Sequence, residues 1–172
     1  MDIAKNDNMT NMVRLLEARQ QADARRVESQ VLMAAVQKND VAMVKRLIAQ
    51  GADVNERVPM MGSHWDGYTP LSAAAVNGQF EIIRERLQAG ADLRIVDGLI
   101  KATLGHKAGY MRHTEAARVL VQQGGLEIDA QGPYNGLTAL HDSIWHGHTE
   151  TAHVFIEAGA RLDLRTHRQN TA

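Results

Sequence analysis

GYTPLSAAAVNGQFEIIRERLQAGADLRIVD, residues Gly67–Asp97, is the stretch that decides the architecture. Thr69 stands where a side-chain oxygen can cap a helix, and Pro70 follows at the first turn, where a missing N–H costs nothing. Ala74 and Ala75 are small enough to let a second helix approach closely. Gly78 ends this short helix and permits a turn. A second helical run then carries the chain to Gly90, which falls where a helix C-terminus needs a left-handed residue. A short segment with alternating apolar residues closes the phrase.

Working outward, the phrase recurs. Its opening half returns as SQVLMAAVQKND at Ser29–Asp40 and as GLTALHDSIWHGH at Gly136–His148. Its closing half returns as MVKRLIAQGADVNER at Met43–Arg57, weakened as AARVLVQQGGLEIDA at Ala116–Ala130, and again as AHVFIEAGARLDLRT at Ala152–Thr166. Gly51 to Gly90 spans 39 residues, Gly90 to Gly124 34, and Gly124 to Gly159 35. A base period of about 33 residues with insertions accounts for all three intervals. The extra length of the first lies in ERVPMMGSHWD, Glu56–Asp66.

These residues resemble ankyrin repeats. Gly67-Tyr-Thr-Pro-Leu71 with Ala74-Ala75, Gly78 and Gln88-Ala-Gly-Ala-Asp92 carries the resemblance, as does Gly136-Leu-Thr-Ala-Leu-His141 with Gly147-His148 and Glu157-Ala-Gly-Ala160. The segment 100–130 is the most altered copy, with only His106 in the usual histidine position. The resemblance implies an all-α ankyrin-repeat solenoid of stacked helix-turn-helix units, with hairpin-like fingers along one edge and a concave face formed by the fingers and first helices. The expected division is an N-terminal capping helix or degenerate repeat over 1–28 and repeats over 29–57 and 67–97, separated by an extended finger insertion at 58–66. A divergent repeat at 98–130, a C-terminal repeat at 131–166 and a frayed polar tail at 167–172 complete it. In the N-terminal segment, Met9, Met12, Val13, Leu15 and Leu16 mark one helical face over Met9–Ala22. Leu71, Leu87, Leu120 and Leu140 are expected in the core. The resemblance gives Thr69, Thr138, His106 and His141 a structural role in tying neighbouring turns together by hydrogen bonds.

Frame positions are explained by stacking, so departures from the frame point to function. The lengthened finger carries Met60, Met61, His64 and Trp65, side chains suited to a contact surface; the alternative is that Trp65 and Met61 fold back over the finger's base. Aligned on the frame, Tyr110 with Met111 and Trp145 with His146 occupy two consecutive positions near the ends of first helices, where the resemblance places them towards the concave face. Lys107 and Asp142 are equivalent to each other and are expected to line the same groove. In the second helices Glu85 and Arg86 replace an apolar pair, through frame drift or local exposure, and an Arg46–Glu85 pair between neighbouring repeats is expected.

Nineteen basic residues face twenty acidic ones, a balance that argues against a general nucleic-acid surface. No cysteine is present, which excludes disulfides and thiolate chemistry. Four histidines fall between His141 and His153, but their spacing fits no metal site, and no metal or other cofactor is expected. No apolar run is long enough to span a membrane. The opening MDIAKNDNMTNM lacks the apolar core of a secretory signal, so the expected location is the cytoplasm, or the periplasm or exterior if a signal was trimmed.

No nucleophile elbow or phosphate-binding loop is present, and no catalytic residue is assigned. The reading favours a monomeric, non-enzymatic module that binds a protein partner through the long finger and concave groove, using Met60, Met61, His64, Trp65, Tyr68, Tyr110, Met111, Trp145 and His146. The alternative is a small-molecule enzyme with a His/Tyr/Asp acid–base site in that groove.

Overall fold

The computed structural model describes residues 2–58, 64–97 and 100–168, and over 2–8 and 22–29 the backbone alone. Among these residues the helices are α1 (Asp2–Gln37), α2 (Val41–Ala49), α3 (Pro70–Val76), α4 (Phe80–Gln88), α5 (Leu104–Tyr110), α6 (Thr114–Gln122), α7 (Ala139–Trp145) and α8 (Thr149–Glu157). The end of α1 with α2, then α3 with α4, α5 with α6 and α7 with α8 form four helical hairpins. First helices pack in one layer, α1–α3–α5–α7, and second helices in another, α2–α4–α6–α8. The all-α repeat solenoid expected from the sequence is the architecture observed.

Local chemistry sets each hairpin. Thr69 accepts a hydrogen bond from the Ser72 N–H while its own N–H donates to Ser72 Oγ, a reciprocal cap repeated by Thr138 and His141. Thr103 caps α5 through the His106 N–H. Gly51, Gly90, Gly124 and Gly159 all have the left-handed φ expected of them, between +72° and +90°. The turn between paired helices needs a second left-handed residue. Gly78 and Gly147 supply it in two units, but Asn39 (φ 54°) and Arg112 (φ 63°) fill it in the others. Asn tolerates this region; Arg is strained there.

Successive units are bonded at the same place. The side chain at the start of each second helix reaches the last carbonyl groups of the preceding first helix: Gln79 Nε2 to Val36 O at 2.7 Å, His113 Nε2 to Val76 O at 2.7 Å, and His148 Nε2 to Tyr110 O at 3.1 Å. On the finger side, the Asp92 N–H donates to Asn55 Oδ1 and the Arg161 N–H to Asp129 Oδ1, each at 2.9 Å. The core between the layers is aliphatic apart from Phe155. Leu71, Leu120 and Leu140 are buried in it as expected, while Leu87 is half-buried.

Three features differ from the sequence reading. First, the N-terminal segment does not stop before the first repeat: α1 runs unbroken from Asp2 to Gln37, because no Gly or Pro interrupts it. Its Met9, Met12, Val13, Leu15 and Leu16 are exposed. Second, the partner of Glu85 is Lys45, at 3.0 Å, not Arg46. Third, Arg86 is neither drifted nor exposed. It is fully buried and donates through Nη2 to the Val54 carbonyl, while Nε and Nη1 have no partner among the described residues. Burial pushes its guanidinium down to about 10, partly offset by Asp53.

Two outcomes follow for chemical denaturation. Arg112→Gly should raise the unfolding free energy by about 1 kcal/mol, because glycine enters the left-handed region freely. Arg86→Ala should lower it by roughly 2–4 kcal/mol through the cavity and the orphaned Val54 carbonyl, and Arg86→Met by clearly less, since it keeps the volume.

Candidate functional site

The fingers and first-helix ends enclose a groove of about 1140 Å³ centred on α5 and α7. From α5 come His106, Lys107 and Tyr110, followed by Met111. From α7 come Asp142 and Trp145, followed by His146. The finger before α3 supplies His64 and Tyr68, the finger before α7 supplies Tyr134, and the C-terminal segment supplies His167 and Arg168. The one-turn spacing of Asp142 and Trp145, and of Lys107 and Tyr110, puts each pair on one helix face, so two adjacent units present the same face to the groove.

Six of the nine residues expected from the sequence line this groove: His64, Tyr68, Tyr110, Met111, Trp145 and His146. Trp65 does not. It is half-buried against the core, with its ring edge-on to Tyr68 at 5.4 Å and to His64 at 5.0 Å, so it braces the finger from behind. Met60 and Met61 lie outside the described residues. The base of that finger is closed by Val58 N–H to Tyr68 O, Gly67 N–H to Val58 O, and Arg57 Nη1 to Gly67 O, at 2.8, 2.9 and 2.8 Å. Tyr110 and Trp145 are 52% and 68% exposed, and the Tyr110 ring meets His146 edge-on at 4.6 Å. His148 stacks behind His146 at 5.8 Å.

Sequence reasoning missed Tyr134, which is 73% exposed at the rim. A lone aromatic beside Gly132-Pro133 in a finger turn was the available signal. The C-terminal segment expected to fray as a tail is held at its start: the His167 N–H donates to Asn135 O at 2.9 Å, and His167 Nδ1 lies 3.2 Å from Tyr134 O.

The polar groups of the groove divide into satisfied and unsatisfied ones. His106 is held at both nitrogens, Nδ1 2.7 Å from Thr103 Oγ1 and Nε2 2.8 Å from Leu137 O. Donation from Nε2 to that carbonyl fits a neutral ring, and burial lowers its affinity for a second proton despite that bond. Lys107 is buried and donates to Asp97 Oδ2 at 2.7 Å and to the Tyr68 hydroxyl at 3.0 Å, with its ammonium 4.1 Å from the Tyr68 ring centroid. Its charge is therefore neutralised inside the wall. Asp142 is different. It is 8% exposed, and among the described residues no donor or cation lies within bonding distance of its carboxylate. Burial pushes it up to about 7.

Sequence comparisons agree with the repeat fold. A family model for ankyrin repeats (3 copies) matches residues 1–97, and a second for ankyrin repeats (many copies) matches 106–171. The chain belongs to the ankyrin-repeat family. Among curated proteins, this ankyrin-repeat chain is similar to the mitochondrial disaggregase of Bos taurus, 29% identical over 75% of this chain and 18% of that protein. It is also similar to human cyclin-dependent kinase 4 inhibitor B, 33% identical over 64% of this chain and 76% of that protein. A third relative is ankyrin repeat domain-containing protein 49 of Bos taurus, 39% identical over 40% of this chain and 26% of that protein. The chain thus spans a small part of the disaggregase and of the third relative, and most of the kinase inhibitor. Ankyrin repeats are in general protein–protein interaction modules. No described helix is long and apolar enough to cross a membrane.

The Asp142 environment has a measurable consequence. Between the ordinary carboxyl range and about pH 7 the folded chain holds a proton that the unfolded chain has released, so stability falls as pH rises through that window. Asp142→Asn removes this cost. The variant should match the parent near pH 4 and exceed it at pH 8 by roughly 1–2 kcal/mol in urea unfolding.

Proposed function

We propose that this ankyrin-repeat chain recognises a protein partner by seating a segment of it in the groove between the α5 and α7 ends and the fingers. The observation that carries this reading is the exposure of Tyr110, Trp145 and Tyr134 along one groove, in a family of interaction modules. Aromatic side chains bury large area on binding with little loss of rotamer entropy, which is why they dominate binding energy at interfaces. Isolated exposed apolar residues are ordinary, but three rings around one concavity are a surface built for contact.

Met60, Met61, His64 and Tyr68 extend the contact along the long finger in this reading, and Trp65 sets that finger's angle. His106, the most obvious acid–base candidate for a catalytic groove, is tied at both ring nitrogens to Thr103 and Leu137, which favours recognition over turnover.

Proteins retained from native lysate by the parent chain should be lost with a Tyr110→Ala/Trp145→Ala double variant. They should remain with Met12→Ala on the distant α1 face. Both substitutions are at exposed side chains, so helicity by circular dichroism should be unchanged. Identical retained sets from parent and double variant would rule the groove out.

A further inference from the structure

We propose that the groove takes an arginine side chain of the partner segment, with the Asp142 carboxylate gripping the guanidinium and the faces of Tyr110 and Trp145 lying against it. The inference rests on the groove reading above and names what that groove selects.

Three observations converge. The first is the isolation of Asp142. Buried carboxylates are almost always matched by donors in their own protein, yet this one lines an open groove with no partner among the described residues. Asp97, another buried carboxylate, shows the usual pattern, holding Lys107 at 2.7 Å. At the equivalent position one unit along, the chain thus places an anion where the earlier unit has a neutralised cation.

The second observation is the company of aromatic rings. Trp145 lies one turn from Asp142 on α7, and the Tyr110 ring packs against His146, itself one turn from Asp142. The wall already contains a smaller version of such recognition, the Lys107 ammonium against the Tyr68 ring.

The third is the fit of the guest. A guanidinium is planar, weakly hydrated and forked. It can stack on flat rings and give a carboxylate two parallel hydrogen bonds, which an ammonium cannot do. Other charged groups facing the groove do not supply the missing partner. Lys107 is committed to Asp97, Arg168 forms no ion pair with Asp142, and any charge on His64, His106, His146 or His167 opposes a bound cation. A guest guanidinium needs the ionised carboxylate, and burial holds Asp142 up to about 7, so binding strengthens from pH 6 to pH 8.

The test is selection of displayed random peptides against the full chain at pH 8, followed by Trp fluorescence titration of the synthetic winners. The expected result is a shared arginine. Its replacement by citrulline, which removes the charge at nearly constant shape, should weaken binding by about tenfold or more. Replacement by lysine should weaken it by several-fold. Asp142→Asn should abolish the arginine preference and flatten the pH dependence while the chain stays folded. Peptides that are lost with Tyr110→Ala/Trp145→Ala but tolerate citrulline, or that prefer lysine, would overturn the arginine assignment and leave the groove reading standing. Peptides indifferent to the double variant, or no selected peptide at all, would overturn both.

Discussion

A helix of seven residues closes too few hydrogen bonds to exist alone, and α3, α5 and α7 are all of that length. Everything else in this chain depends on how those helix ends are satisfied. At the start, a threonine hydroxyl takes the free N–H. At the end of α3 and of α5, a histidine from the start of the following unit's second helix, His113 or His148, takes a free carbonyl, as Gln79 does at the end of α1. The unit of stability is therefore the junction between neighbours, not the hairpin.

This division explains why the regular positions are silent about function. His106 and His141, read from the resemblance as residues that tie turns together, do so here through Thr103, Leu137 and Thr138. His106 joins its own Thr103 to the Leu137 carbonyl of the next unit, so it works across the very seam that shapes the site. Around the groove, Tyr110, Trp145, Tyr134 and Asp142 keep apolar area or bonding capacity that the frame does not use.

The frame was readable because its signals are backbone requirements. A glycine at a left-handed φ and a threonine before a helix mean the same thing in any neighbourhood. The groove was partly readable for a related reason, since repeat register alone placed Tyr110 beside Trp145. What register does not carry is whether a polar side chain finds a partner. Lys107 and Asp142 are equivalent in sequence and opposite in circumstance: Asp97 neutralises the first, and nothing described neutralises the second. Arg86 is similar, because its burial depends on the Val54 carbonyl of the previous finger. Composition left Trp65 open between a contact surface and the base of its own finger, and the closed base of that finger shows why it turns inward. The length of α1 went unread because the signal there is an absence: no residue between Asp2 and Gln37 stops a helix.

The isolation of Asp142 bears on the whole reading. An unpaired carboxylate in a wall costs folding free energy, and an asparagine of the same shape would not carry that cost. In the preceding unit the chain solves the same problem at no such cost, with Lys107 and Asp97 in contact. A stack held by junction bonds can carry one unfavourable group, because the loss stays local to its unit and its neighbours. Strained or unsatisfied groups held this way concentrate where a ligand completes them. The aromatic rings beside Asp142 give such a ligand its surface, and the carboxylate gives it its sign. Shape alone would make this groove a place where many segments could rest. In the proposed reading, the charge in its wall makes it selective.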